Sequence, residues 1–175
     1  MFPYFKLVKV LVKAKFRSRV TLDDRTEIQL RAGITDIDIF GELNNARHLV
    51  IMELSRWDFS QRVGLLGYIR KKKWGLVVGG ASIRYRRRIP LWSRYSTSCQ
   101  VVCHDGRWFY CLQETHMNGE ICSSGLIKVG LVSKNGLEPA VQVVADMGYS
   151  DWGNEMPQWV SAWIQAEGLR PWPSS

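Results

Sequence analysis

This 175-residue sequence lacks three features: long apolar runs, closely spaced cysteines, and acidic residues at its amino-terminal end. No stretch of about 18 uninterrupted apolar residues is present, so no membrane-spanning helix is predicted. The four cysteines form no CxxC pair, and their spacing suits successive strands better than a zinc site. We therefore expect buried, reduced thiols in a cytosolic protein that needs no metal and no cofactor. Cys99 and Cys103 are expected on one face of the same strand.

Acidic residues are absent from residues 1–22, which carry six basic ones: Lys6, Lys9, Lys13, Lys15, Arg17 and Arg19. Apolar and basic residues alternate over residues 2–16 in a pattern compatible with a helix, although its apolar stripe is imperfect. Because lysines interrupt the apolar run, a signal peptide is not predicted. We interpret residues 1–20 as a basic amphipathic segment that docks on its own domain, on a partner or, as a weaker alternative, on a membrane surface.

One long helix is predicted in the first half of the chain. The apolar period from Ala46 to about Val63 is helical, and Asn44 or Asn45 suits the N-cap position because a side-chain oxygen there accepts a hydrogen bond from a free backbone N–H. Residues 26–30 alternate apolar and polar side chains before it, which predicts a strand.

Four strands are predicted between residues 75 and 133. Asp105-Gly106 and Asn118-Gly119 separate alternating runs, and such dipeptides favour two-residue turns between antiparallel strands. Asn135-Gly136 is expected to end the last strand. Beyond it, residues 157–168 predict a second amphipathic helix, and the tryptophans of this region are expected to pack on the sheet or on another subunit.

This order of elements predicts an α+β architecture, in which a curved antiparallel sheet wraps around one long central helix. The edges of such a sheet are open, so we expect a homodimer or a dimer of dimers. We divide the chain into the basic segment 1–20, a domain of residues 21–140, and a C-terminal extension of residues 141–175 that contains the second helix.

A polar loop precedes the central helix and carries the chemistry of the sequence. The stretch "DIDIFGELNNARHLVIMELSRWD" resembles the opening motif of hotdog-fold acyl-CoA thioesterases of the 4-hydroxybenzoyl-CoA thioesterase-like group, in the branch named after thioesterase superfamily member six. That motif runs Asp-x-Asp, two variable residues, Gly-His-x-Asn-Asn, then a helix with a Glu and an Arg. The matching residues are Asp36, Asp38, Gly41, Asn44, Asn45, Glu53 and Arg56. Glu42 stands where the motif has its histidine.

Thioester cleavage needs a carboxylate, as nucleophile or as base for water, and hydrogen-bond donors for the oxyanion. The resemblance implies that Asp38 is the acting carboxylate, that Asn45 orients water or the carbonyl, and that Glu53 is the reserve base. The backbone N–H groups that open the helix are suitable donors. Five residues are predicted to contact substrate: Asn44, His48, Trp57, Arg84 and Arg86. The two arginines are candidates for the phosphates of coenzyme A.

The predicted function is hydrolysis of an acyl-CoA to free acid and CoA, at a site between two subunits. The alternative is a non-catalytic acyl- or lipid-binding hotdog protein that is peripheral to a membrane, which Glu42 and the basic segment 1–20 motivate. A third hypothesis is nucleic-acid binding, because Tyr85, Trp92 and Tyr95 interleave with arginines. No RNA-binding signature accompanies them, so nucleic acid is not an expected partner. The expected location is cytoplasmic, and peripheral to the membrane under the alternative.

Overall fold

The computed structural model describes residues 2–153 and 155–171. Its helices are α1 (Tyr4–Lys15), α2 (Asn45–Arg62), α3 (Leu65–Lys72), α4 (Ala140–Asp146) and α5 (Gln158–Leu169). Its strands are β1 (Thr26–Arg31), β2 (Gly75–Tyr85), β3 (Arg94–His104), β4 (Phe109–Met117), β5 (Glu120–Ser133) and β6 (Gly136–Glu138). None of these helices combines the length and the apolar character that crossing a bilayer requires.

The sheet is antiparallel and has the strand order β1-β3-β4-β5-β2, with β6 paired to the end of β5. Strands β1 and β2 are its two edges. Helix α2 packs on the inner face, where side chains from the helix and from β3, β4 and β5 form the main core. This arrangement confirms the predicted α+β architecture of a curved sheet around one central helix.

The long helix matches its prediction closely. Asn44 is the N-cap, and its Oδ1 accepts a hydrogen bond from the Ala46 N–H at 2.9 Å. The helix ends at Arg62, and Gly64 follows with a φ of +90°, in the left-handed region that ends helices. Its buried side chains include Met52, Leu54 and Phe59. The strong apolar period and a correct cap therefore sufficed to locate this element.

Of the two predicted turns one differs in length, and the predicted end of the last strand is followed by a further strand. Asn118-Gly119 is a two-residue turn with positive φ at both positions, as predicted. The Asp105-Gly106 prediction is wrong in length: the loop has four residues, and the Asp105 carboxylate closes it by accepting the N–H groups of Arg107 and Trp108 at 2.9 and 2.7 Å. The strand β5 ends just before Asn135-Gly136, as expected, but it is not the last strand, because Gly136 begins β6, which pairs back with β5.

The two short helices α3 and α4 were not predicted from the sequence. They span only eight and seven residues, too few for a period to be recognised. The predicted C-terminal helix is confirmed as α5, which lies on the outer face of the sheet. Its Val160 is fully buried there, and its Trp163 contacts Tyr110 edge-on.

The predicted burial of the cysteines is confirmed, but the prediction that Cys99 and Cys103 share one face of a strand is wrong. All four thiols are free and buried. A β-bulge between Val101 and Cys103 shifts the register of β3 against β4, so Cys99 joins the inner core and Cys103 joins the outer cluster beneath α5. An extra residue in a strand reverses the side-chain alternation beyond it, and no pattern in the sequence marks this bulge.

Helix α1 packs against α2. Its Val10 and Ala14 are buried, and Lys6 forms an ion pair with the buried Asp36. Helix α1 therefore docks on its own domain. This was the more common of the three outcomes expected for the basic segment. The division at residues 20 and 140 stays a prediction.

Candidate functional site

The loop before α2 is held by the first aspartate of the pair. Residues Ile34–Asp36 form a short 3₁₀ turn, and the buried Asp36 carboxylate accepts the Gly33 N–H at 3.0 Å in addition to its ion pair with Lys6. The carbonyl of Asp36 accepts the Asn44 N–H at 2.9 Å. Asp36 thus ties the loop to α1 and to the start of α2.

Asp38 lies in the turn of this loop and is half-buried. Its backbone N–H donates to the Glu42 carbonyl at 2.9 Å, and its Oδ1 accepts the Phe40 N–H at 2.9 Å. A side chain that accepts the amide two residues on forms an Asx turn. Asp38 is not among the residues that line the apolar cavity along α2, described below. Ile39 and Phe40 beside it are exposed, so apolar groups flank the carboxylate.

The two asparagines have different surroundings at the start of α2. Asn44 is engaged as the cap, whereas Asn45 is exposed and its side chain has no hydrogen bond to the part of the chain that the structure describes. Tyr85, at the end of β2, donates its hydroxyl to the Asn45 carbonyl at 3.0 Å. This contact brings the end of β2, with its exposed Arg84, next to the helix start.

His48 lies one turn further along α2 and is buried. Its Nδ1 is 2.8 Å from the Ser123 hydroxyl, which in turn is 2.7 Å from the Thr115 hydroxyl. Burial lowers the pKa of His48 to about 4 from its ordinary 6.5, so the imidazole is neutral at neutral pH. Its predicted contact with substrate stays a prediction.

A cavity of about 160 Å³ lies between the second half of α2 and the inner face of the sheet. Residues from β2, β3, β4 and β5 form one wall, and α4 forms another. The lining is aliphatic and aromatic except for a few polar and charged side chains of α2: Glu53, Arg56 and Ser60. An apolar cavity with a few placed polar groups is the usual form of a small-molecule site.

Glu53 is the carboxylate of this cavity. Its Oε1 accepts a hydrogen bond from the Trp57 indole at 3.4 Å, and it has no ion-pair partner within residues 2–153 and 155–171. Arg56, one helical turn away, instead donates to the Gln113 Oε1 at 2.5 Å. The structure therefore brings together two of the predicted residues, Glu53 and Trp57.

Gln113 of β4 was missed by the sequence analysis. It is fully buried, donates its Nε2 to the Met52 carbonyl and to the Ser55 hydroxyl at 2.6 Å each, and accepts from Arg56. A polar residue at an inward position of a strand was the available signal, and only its partners on α2 reveal its role in holding Arg56.

The predicted site is thus divided between two regions of α2. Asp38, Asn44 and Asn45 lie at the helix start, and Glu53 and Trp57 line the cavity. Eight residues of helix between Asn45 and Glu53 correspond to about 12 Å. Arg84 lies at the end of β2 and Arg86 just beyond it; both are exposed, and neither lines the apolar cavity along α2.

Comparison with known proteins identifies the family to which this chain is related. The profile of the family described as "Thioesterase-like superfamily" matches residues 32–164. The chain belongs to this superfamily. The match includes the loop of Asp36 and Asp38, all of α2, and every strand from β2 to β6, so both regions of the predicted site lie inside the family domain.

One similar relative of this thioesterase-like chain is the Drosophila melanogaster protein named Protein THEM6. It is 29% identical over 154 residues, covering 86% of this chain and 78% of the relative. A second Protein THEM6, from Xenopus laevis, is 26% identical over 159 residues, covering 89% and 76%. These relatives match the branch that the motif resembled.

A similar solved structure is that of YbaW, a probable thioesterase from Escherichia coli. It has a TM-score of 0.65 and 20% identity, covering 71% of this chain and 96% of that one. This likeness confirms the predicted hotdog fold. Within the described residues of this superfamily member, no group of three or more His, Cys, Asp or Glu side chains is placed to hold a metal ion.

Proposed function

We propose that the chain is an acyl-CoA thioesterase that hydrolyses the thioester to free acid and CoA. The observation that carries this proposal is the apolar cavity along the second half of α2, together with the Asp38 carboxylate in the loop that precedes the same helix. Membership of the thioesterase-like superfamily supports it at the level of the reaction class.

The reaction assigns different tasks to the two regions. Water adds to the thioester carbonyl carbon while Asp38 accepts a proton from it, or Asp38 attacks first and water then hydrolyses the acyl-enzyme anhydride. The carbon–sulfur bond breaks, and the CoA sulfur receives a proton. Asn44 already engages the Ala46 and Arg47 N–H groups, so the Asn45 backbone N–H is the proposed donor to the oxyanion. Asn45 is free to orient the carbonyl or the water.

The cavity receives the end of the acyl chain. Because about 12 Å of helix separates Asn45 from Glu53, an acyl chain whose thioester lies at the helix start reaches the cavity only when it is extended. Burial of its methylene groups contributes about 0.8 kcal/mol each. An acetyl group reaches no part of the cavity and gains none of this energy. Medium- and long-chain acyl-CoA are therefore the proposed substrates.

A second copy of the chain completes the site in this proposal. Ile39 and Phe40 beside Asp38 are 93% and 79% exposed in the single chain, and covering them would remove water from around the carboxylate. Arg84 and Arg86 are then the proposed contacts for the phosphates of CoA, because they are exposed near the helix start and rich in donors.

Thiol release from a series of acyl-CoA substrates, from acetyl upward, tests the proposal. The wild type is expected to act on the longer chains. Asp38→Asn keeps the size of the side chain and the Asx turn, because the amide oxygen still accepts from Phe40. A loss of activity in this variant with an unchanged melting temperature would support the acting role of Asp38. Glu53→Gln is expected to retain more activity.

A second candidate function is the binding of an acyl group or lipid without hydrolysis, by a protein that is peripheral to a membrane. The observation in its favour is that the Asp38 carboxylate is engaged by its own loop, while the half-buried Glu42 stands where the family motif has a histidine. Native mass spectrometry that finds an acyl ligand retained through purification, together with no thiol release from any acyl-CoA, would favour this function.

A further inference from the structure

Helix α1 carries apolar side chains on two opposite faces. The inner face contains Val10 and Ala14, which are buried in the contact with α2. The outer face contains four exposed apolar residues: Phe5, Val8, Val12 and, just after the helix, Phe16. Phe5 is 95% and Phe16 82% exposed. A solvent-exposed apolar cluster of this kind indicates an interaction site.

The positions of these residues on the helix are regular. Successive residues are about 100° apart around an α-helix, so the four outer residues fall within an arc of about 80°, opposite the inner face. Lys15 borders this arc on one side, and Lys9 and Lys13 border it on the other. The sequence pattern, interpreted above as one imperfect apolar stripe, is therefore two stripes, and the outer one is exposed.

The lysines around the outer face are free to meet an external anion. Lys6 and Arg17 turn inward to Asp36 and Asp58. The remaining basic residues of the segment have no ion-pair partner within the described parts of the chain: Lys9, Lys13, Lys15 and Arg19. A surface cleft of about 480 Å³ next to the end of α1 adds Arg70 to Lys15 and Arg19, and no acidic residue lines it.

We propose that the outer face of α1 docks on the surface of an anionic lipid bilayer. Phe5, Val8, Val12 and Phe16 would enter the boundary between headgroups and acyl chains, as the apolar face of an interfacial helix does. The bordering lysines and the cleft of Arg19 and Arg70 would meet lipid phosphates. The helix lies on the bilayer and does not span it, in agreement with its length of 12 residues.

Charge favours a lipid surface over a second copy of this chain. Residues 1–22 contain no acidic residue, so the same face on another copy would bring like charges together at short distance. The inference goes beyond the proposed hydrolysis, because an inactive chain with this face would bind vesicles equally well.

Co-sedimentation of the full chain with vesicles tests this inference. Binding is expected to vesicles of mixed phosphatidylcholine and phosphatidylglycerol, to be weaker with phosphatidylcholine alone, and to fall as salt is added. The double variant Phe5→Ser/Val12→Ser is expected to lower the affinity about tenfold or more, because its two side chains no longer enter the bilayer. Its matched control is Trp159→Ser/Leu169→Ser, which removes exposed apolar side chains of α5.

Charge is tested separately, which keeps the experiment decisive if the apolar variant does not fold. Lys9→Gln/Lys13→Gln is expected to lower the affinity for the mixed vesicles about 30-fold, since each basic residue near an anionic surface contributes about 1 kcal/mol. Lys71→Gln/Lys73→Gln is the control with the same change in net charge, and it is expected to retain most of the binding.

Three results would overturn the inference. The first is the absence of binding to mixed vesicles, and the second is equal binding by Lys9→Gln/Lys13→Gln and the wild type. The third is that, without vesicles, the wild type is self-associated and Phe5→Ser/Val12→Ser is a smaller species. Thiol release measured without vesicles is expected to be unchanged in all four variants. Failure of membrane binding is thus distinguishable from failure of the proposed hydrolysis.

Discussion

At the scale of single residues, the chain gives its two candidate carboxylates different surroundings. Asp38 is half-buried in the turn of the loop that precedes α2 and accepts one amide of its own loop. Glu53 lies in the wall of an apolar cavity and accepts only a long hydrogen bond from Trp57. In the proposed reaction, water and the CoA portion of a substrate would meet Asp38, whereas an acyl chain would be the neighbour of Glu53. We therefore propose bond cleavage at Asp38 and recognition of the acyl chain by the apolar lining of the cavity around Glu53.

His48 should make stability depend on pH between about 6.5 and 4. Its folded pKa of about 4 is below its unfolded value of 6.5, so below pH 6.5 the unfolded chain binds a proton that the folded chain does not. Stability is therefore complete above pH 6.5 and is lost as the pH falls toward 4. The expected loss between pH 7 and pH 5 is about 2 kcal/mol.

Urea unfolding at several pH values measures this effect in the wild type and in His48→Asn, whose amide still pairs with Ser123 and does not titrate. The variant should lose about 2 kcal/mol less than the wild type over the same interval. Parallel pH curves for the two proteins would show that His48 is not held neutral by burial.

At the scale of elements, α2 connects the two regions of the site. Its start is fixed by the Asn44 cap and by Tyr85, and its second half lines the cavity. The resemblance carried Asn44 and Asn45 as a pair, but the structure gives only Asn44 a hydrogen bond that stabilises the helix. Asn45 has no such task in the described chain, so the two asparagines are separable by experiment.

Asn44→Ala should destabilise the fold by about 1 kcal/mol, because the Ala46 N–H loses its acceptor. Asn45→Ala, the neighbouring change of the same size, should leave the free energy of unfolding within about 0.5 kcal/mol of the wild type while lowering the rate of thiol release. Urea unfolding and the acyl-CoA assay measure the two effects. Equal stability losses in both variants would contradict the assignment of the cap.

The elements that sequence analysis located are those governed by local chemistry. Helix α2 has a long apolar period and a cap, and Asn118-Gly119 has the two residues that a tight turn needs. The elements that it missed depend on distant contacts. Helix α4 is stable because Val143 and Val144 close the cavity, and the bulge at Cys103 depends on its pairing with β4. Neither contact is encoded within one short window of sequence.

The site shows the same limit. The motif led to Asp38, Asn44, Asn45 and Glu53, but the position of Glu53 in a cavity and the anchoring of Arg56 by Gln113 follow only from packing of α2 on β4. The contact proposed between a second copy and the loop of Ile39 and Phe40 is not encoded in any local pattern either, because it would join surfaces of separate chains.

At the scale of the whole molecule, no strand within residues 2–153 and 155–171 pairs with the outer edge of the 11-residue strand β2. We expect this edge to pair with the same edge of a second copy, because an unpaired strand edge offers free backbone donors and acceptors. Analytical ultracentrifugation should give about twice the chain mass or a multiple of it.

Ala81→Lys, which places a charge at an exposed position of β2, should weaken this association and shift the chain toward the monomer. Ala162→Lys, at an exposed position of α5, is the matched control and should leave the mass unchanged. A wild type that sediments as a monomer at all concentrations would exclude pairing through β2 and with it a site shared by two copies.

The most direct test of the central claim is thiol release from medium- and long-chain acyl-CoA by the wild type, Asp38→Asn and Glu53→Gln at equal concentration. The account predicts that the wild type releases CoA, that Asp38→Asn lowers kcat about 100-fold or more with unchanged stability, and that Glu53→Gln retains most of the wild-type kcat. Release by Asp38→Asn at the wild-type rate, or no release by the wild type from any acyl-CoA, would contradict it.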